Sequence, residues 1–198
     1  MVKRIVSLWL LFLFMGVLSC EPEDCGGPVY YGIDSISSIP MKFVEGQLLD
    51  YMVDTSSTPY YQYALQITIE PDYMTSGTPS AGSWFSPAYA CEPAPYPTDT
   101  LASVAVVSET DFSTADGRTI AAGQNLIAEF DVGNGYGVII ESGERYTRRL
   151  PILAENQSLV LVLATAPAEP QSHRFTVRYQ LTGGETFSAI APPVTITP

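Results

Sequence analysis

YYQYALQITIE, residues 60–70, decides the fold class. Tyr61, Tyr63, Leu65, Ile67 and Ile69 fall at every second position, with Tyr60, Gln62, Ala64, Gln66, Thr68 and Glu70 between them. Side chains alternate faces along a strand, so a period of two buries one row and wets the other. Pro71 is expected to stop the strand, because it has no backbone donor for a ladder.

Two C-terminal stretches extend the pattern. SLVLVLA, residues 158–164, is an apolar run of strand length. RFTVRYQLTGGETFSAI, residues 174–190, reads as a hairpin with Phe175, Val177, Tyr179 and Leu181 inward. Gly183-Gly184 would supply the two positive-φ residues of a tight turn. Fainter strands are expected at 29–36, 41–53, 101–107, 136–140 continuing past a turn at Gly143, and 194–196, the last after a bend at Pro192-Pro193. NLIAEF, residues 125–130, suits either one helical turn or a strand edge. Beyond Gly26 no helix is expected. Eight to ten short strands imply an all-β, antiparallel two-sheet sandwich, immunoglobulin-like or related to a Greek key.

Residues 71–100 form a long irregular stretch holding six of the 16 prolines, together with Tyr73, Trp84, Phe85, Tyr89 and Tyr96. Loops of this length are usually functional or disordered, and disorder is disfavoured here because the aromatics need burial and Cys91 is a candidate staple. Two readings stand: a flap packed over one end of the sandwich, or a ligand surface where Trp84, Tyr89 and Tyr96 stack on sugars or peptide prolines.

The amino terminus carries a second signal. Met1-Val2-Lys3-Arg4 is basic, and Ile5 to Leu18 is almost wholly apolar. Fourteen helical residues rise about 21 Å, short of a hydrocarbon core of about 30 Å. The segment therefore suits the core of a signal peptide over residues 1–19. Val17-Leu18-Ser19-Cys20 resembles a bacterial lipobox, which implies diacylglyceryl modification of Cys20 and cleavage before it. Two or three acyl chains hold a protein stably on a membrane. Residues 20–27 would form an acidic tether and 28–198 a single domain.

Three cysteines are present, Cys20, Cys25 and Cys91. Lipidation of the first leaves Cys25 and Cys91 to form a disulfide in an oxidising compartment, with free thiols or mixed pairing as the alternatives. The bridge would close a 67-residue loop (25 through 91) and contribute roughly 4 kcal/mol.

The chain has a net charge of −12. Without Lys3 and Arg4, 7 basic residues face 21 acidic ones, a net −14. Such a surface repels nucleic acid and anionic headgroups, so neither is expected as a partner. Arg145, Arg148, Arg149, Arg174 and Arg178 read as cross-strand neighbours paired with carboxylates, or as an anion patch.

Catalytic patterns are thin. Nucleophilic catalysis needs a base, and the only histidine, His173, reads as exposed or at a strand edge. A lone histidine and two distant thiols lack metal-ligand spacing. Glu70 with Asp72, Glu109 with Asp111 and Glu129 with Asp131 have the i, i+2 spacing of one strand face, as a glycosidase pair would need. Asp111 to Gly117 faintly resembles a calcium loop without its middle acids or distal glutamate, and a plain turn fits better. No cofactor motif occurs, and neither a catalytic residue nor a metal ligand is assigned.

The signal segment, the lipobox, Glu21-Pro22-Glu23-Asp24, Cys25, WFSPAYACEPAPYP (84–97) and the hairpin 175–187 together resemble uncharacterised Bacteroidota lipoproteins grouped as a domain of unknown function. The resemblance implies an outer-membrane lipoprotein, surface-exposed through its acidic cluster, with a periplasm-facing anchor as the alternative. It implies no chemistry. The expected function is a binding or structural module contacting a glycan, a peptide or an envelope protein, with the membrane joined through Cys20. The alternatives are a glycan hydrolase using a carboxylate pair and an assembly subunit donating the segment 191–198.

Overall fold

A computed structural model describes residues 29–44, 47–50, 57–75, 96–134, 138–150, 152–153 and 158–198. The chain divides into two compact units. One comprises residues 31–73 and 97–198. The other comprises 1–30 and 74–96, of which only 29, 30, 74, 75 and 96 are described.

The strands run in chain order as β1 (Val29–Val44), β2 (Gln47–Asp50), β3 (Thr58–Pro59), β4 (Tyr63–Thr75), β5 (Tyr96–Pro97), β6 (Thr100–Ser108), β7 (Phe112–Ser113) and β8 (Thr119–Ile120). They continue as β9 (Phe130–Asn134), β10 (Ile139–Ser142), β11 (Ile152–Leu153), β12 (Ser158–Leu163), β13 (Gln171–His173), β14 (Phe175–Leu181), β15 (Thr186–Ile190) and β16 (Val194–Thr197). One short helix, α1 (Gly143–Arg148), follows β10. The protein is an all-β sandwich. One sheet has the order β10-β9-β12-β4-β1-β2, and the other β11-β6-β14-β15. A three-stranded sheet, β13-β16-β3, and the small hairpin β7-β8 complete it. The chain crosses repeatedly between sheets, so most neighbours are distant in sequence. The described registers are antiparallel except for β16 with β3, which is parallel.

Period two explains the core. Tyr63, Leu65, Ile67 and Ile69 of β4 meet Leu159, Leu161 and Leu163 of β12 and Phe130 and Val132 of β9. From the second sheet come Val104 and Val106 of β6 and Phe175, Val177, Tyr179 and Leu181 of β14. SLVLVL does not alternate in polarity because both its faces are buried. Val160 and Val162 point away from the main core into a second cluster with Ala64 and Met41. Strands buried on both faces read as continuous apolar runs.

Several expectations need correcting. Tyr61 lies in a 3-10 turn (Tyr60–Gln62) and is more than half exposed, not on the core row. Pro71 does not end β4. The last described pair with β12 is Thr68 with Ser158, so Pro71 lies beyond the point where β12 asks for a donor. Only Gly184 of the Gly183-Gly184 pair has positive φ, at 94°. Gly184 N donates to Leu181 O (3.0 Å) and Leu181 N to Glu185 O (2.8 Å), giving a three-residue loop with a glycine bulge. Thr114 to Arg118 repeats this geometry around Gly117, φ 86°. The faint calcium loop is therefore a hairpin turn joining β7 to β8.

The helix α1 was unexpected, yet its chemistry is local. Ser142 Oγ accepts from Arg145 N, Glu144 sits in the first turn and Arg145 and Arg148 in the last. Among the described residues no helix is long and apolar enough to cross a membrane.

Candidate functional site

The described polar groups gather in three places. The first is built on the turn between β8 and β9. Asn125 Oδ1 accepts from Val106 N (3.1 Å) and Ile127 N (3.0 Å), which pins the 3-10 turn Ile127–Glu129 to β6. That turn carries Glu129 inward, its side chain only 7% exposed. A buried carboxylate requires partners. Arg118 supplies a fork, Nη1 to Oε1 at 2.9 Å and Nη2 to Oε2 at 3.3 Å, and Thr165 Oγ1 donates to Oε2 at 2.6 Å. Arg118 Nε also donates to Asp116 Oδ2 at 2.8 Å. Donation from the Thr114 hydroxyl, then from Arg118, lowers the Asp116 carboxyl to about pKa 2. Arg118 is raised, chiefly by its bond to Glu129.

The second group surrounds His173 on β13. The imidazole is 1% exposed, stacked on Phe175 (5.4 Å between centroids) and against Phe112 (5.2 Å). Nδ1 meets Ser108 Oγ at 2.9 Å and Thr110 Oγ1 at 3.0 Å. Burial lowers its pKa to about 4. His173 does lie at a strand edge, as the last residue of the edge strand β13, but it is not exposed: its neighbours in sequence, Ser172 and Arg174, are polar, yet Phe112 folds over it from another strand. Ser108 is itself buried and meets Nδ1 inside the core.

The third group lies beside α1. Glu141, its side chain 6% exposed, pairs with Arg149 Nη1 at 2.6 Å. Burial raises the nearby Tyr146 phenol to about pKa 12, and Glu141 adds to it. Arg148 pairs with Glu144 within the helix, and Arg174 with Glu109 at 3.6 Å. The arginines are therefore not cross-strand neighbours. Arg145, Arg148 and Arg149 belong to the helix and its end, Arg174 precedes β14, and Arg178 lies within it.

Of the acid pairs, Glu70 and Asp72 share β4. Glu70 accepts from Ser35 Oγ at 2.7 Å, and Asp111 from Ala122 N at 2.8 Å. Glu129 belongs to a turn and Asp131 to β9, where burial raises the Asp131 pKa. Among the described residues no three His, Cys, Asp or Glu side chains gather as a metal would need. The crevice lined by Phe112, Leu126, Glu129, Phe130, Leu163 and Phe175 is too tight for a water molecule.

Of the aromatic contact candidates, Tyr96 is more than half exposed and lies against Tyr30, centroids 6.3 Å apart at 43°. Trp84 and Tyr89 lie outside the described residues, as do Cys20, Cys25 and Cys91. Among the described residues Arg118 and Glu129 form the most connected polar cluster, and sequence reasoning passed over Arg118. The available signal was Glu129 itself, a carboxylate inside the apolar run NLIAEF, which demands a cation from elsewhere in the chain.

No family model matches the chain. No curated protein matches it either. Among solved structures, the C-terminal domain of the Streptococcus agalactiae AgI/II polypeptide BspA aligns at 9% identity and TM-score 0.26, over 83% of this chain and 50% of that one. The C-terminal domain of the Streptococcus pyogenes antigen I/II-family protein AspA aligns at 10% identity and TM-score 0.24, over 82% and 46%. This chain spans about half the length of those matched chains.

Proposed function

We propose that the protein is a lipid-anchored display module of the bacterial envelope. Cys20 holds it on the outer membrane, and the sandwich offers a binding surface to a glycan, a peptide or another envelope protein. The observation that carries this reading is the run Val17-Leu18-Ser19-Cys20, set behind a basic and then apolar leader and followed by Glu21-Pro22-Glu23-Asp24. The acidic cluster favours the outward-facing leaflet. Cys25 and Cys91 form the disulfide that ties the tether to the chain. The packing supports a binding role. The buried Glu129 and His173, the side chains best suited to acid–base work, are held by Arg118 with Thr165 and by Ser108 with Thr110. Exposed rings such as Tyr96, with Trp84 and Tyr89 of the same segment, are the contacts proposed for the ligand.

Assembly by donation of the C-terminal strand is less well supported. Segment 194–197 is the middle strand of its own sheet, with Val194 and Ile196 buried.

Detergent phase partitioning of the expressed chain tests the anchor. The native protein is expected in the detergent phase and Cys20→Ala in the aqueous phase or as uncleaved precursor. An unchanged distribution contradicts the reading. Binding of the native protein and of Trp84→Ala, Tyr89→Ala and Tyr96→Ala to glycan and peptide arrays then tests the loop surface. Equal binding by all four removes those rings from the account.

A further inference from the structure

The geometry around His173 leaves its second ring nitrogen with nowhere to put a proton. Thr110 Oγ1 donates to the Ser172 carbonyl at 3.0 Å, so at Nδ1 it accepts. Nδ1 therefore carries the hydrogen of the neutral ring, shared with Ser108 Oγ. Nε2 is buried and meets no hydrogen-bond partner among the described residues. A bare lone pair is tolerable there, whereas a buried N–H without an acceptor is rare and a buried unpaired charge is costly. The ring can take up its second proton only at Nε2, between Phe112 and Phe175.

His173 also sits at a joint. It is in register with Val194, and β13 pairs with β16 over Gln171 to His173. On its other side the sequence passes through Arg174 directly into β14. We propose that His173 is an acid-sensitive latch: uptake of a proton at Nε2 frees β13 and β16 from the end of the sandwich while the two main sheets stay paired.

The charged groups nearby do not supply the missing counter-charge. Glu129, on the 3-10 turn that lines the crevice with Phe112 and Phe175, is the nearest buried carboxylate, and both its oxygens are taken by Arg118 and Thr165. From the corner between β6 and β7, Glu109 faces Arg174 and Asp111 accepts from Ala122 N. On β14 the titratable groups are Arg178, exposed, and Tyr179, buried with its pKa raised. β6, β7, β13 (His173 apart) and β16 carry no acidic or basic residue.

The sign follows from the ring being neutral when folded. Its pKa falls from 6.5 to about 4, so the closed state is favoured above pH 6.5 and loses that advantage as pH falls through this window. The ratio of open to closed latch then rises about 30-fold between pH 7.5 and 5.

The test is native-state hydrogen exchange on the full chain in detergent, corrected for the intrinsic pH dependence of exchange. The expected result is a rise of about 30-fold in opening of β13 and β16 between pH 7.5 and 5, with β4 and β12 unmoved. His173→Phe and His173→Asn should both abolish the rise. An equal rise in β4 and β12, or the same rise in both variants, overturns the latch. Should neither variant fold, NMR of the wild-type imidazole decides, since the chain has one histidine. It is expected to stay neutral, protonated at Nδ1, at pH 5 in the closed state. Titration near pH 6.5 with the sheet intact overturns the proposal.

Discussion

Arg118 reaches Glu129 with both terminal nitrogens, Nη1 to Oε1 at 2.9 Å and Nη2 to Oε2 at 3.3 Å. The two residues sit at unequal depth, the guanidinium half in solvent and the carboxylate buried. The pair therefore matters less for its own attraction than for what remains if one member is lost. A buried carboxylate without its cation faces the whole desolvation cost.

Thr165→Val should destabilise the domain by about 1.5–3 kcal/mol, the range for losing a hydrogen bond to a buried charge. Arg118→Met should cost more, because it removes two donors at once and leaves Glu129 with one. Urea unfolding of both variants checks the order. A smaller loss for Arg118→Met than for Thr165→Val would show that the fork adds little.

Three glycines separate close packing from backbone conformation. A Cβ on Gly143 would fall 1.9 Å from the Ile127 carbonyl oxygen and 2.8 Å from that of Phe130, both backbone atoms. Gly143→Ala should therefore push α1 away from the 3-10 turn and cost about 2–4 kcal/mol. Gly184→Ala meets open space but carries positive φ, and should cost about 1 kcal/mol. Gly183→Ala meets neither obstacle and should be neutral within about 0.5 kcal/mol. Chemical denaturation ranks the three.

β12 offers a test of the two-sided core. Leu161→Ala should cost about 2–5 kcal/mol as an ordinary core truncation. Val160→Thr keeps the shape but buries a hydroxyl in the second cluster, and should cost about 1–3 kcal/mol. A neutral Val160→Thr would place that row in solvent and refute the second cluster.

Asp116 predicts a window of acid sensitivity distinct from that of His173. Its folded pKa of about 2 lies below the ordinary 3.8, so its bonds to Thr114 and Arg118 favour folding above pH 3.8 and are lost as pH falls towards 2. Asp116→Asn should flatten the stability profile between pH 4 and 2 and leave the region between pH 6.5 and 4 unchanged. Thermal melts across pH 2–8 measure both slopes.

The strands were legible wherever one face is wet. The rows Tyr63–Leu65–Ile67–Ile69 and Phe175–Val177–Tyr179–Leu181 announce themselves by period two, and both are buried as read. Reading was weaker where the determinant is distant. Nothing near Pro71 says that β12 has already parted from β4. Nothing beside His173 shows that Phe112, sixty-one positions earlier, will cover it. Helix α1 is too short for a periodic signal, so only its cap at Ser142 and its charge order could have marked it. Of the three aromatic candidates Trp84, Tyr89 and Tyr96, only Tyr96 lies among the described residues, where it is exposed.

The central claim is the anchor at Cys20. Mass spectrometry of the amino-terminal peptide of protein extracted from the membranes of the producing bacterium measures it directly. The account predicts a chain that begins at Cys20 and carries a diacylglyceryl group on its sulfur. A chain that begins at Met1 with an unmodified Cys20, or one cleaved elsewhere with that thiol free, would contradict it.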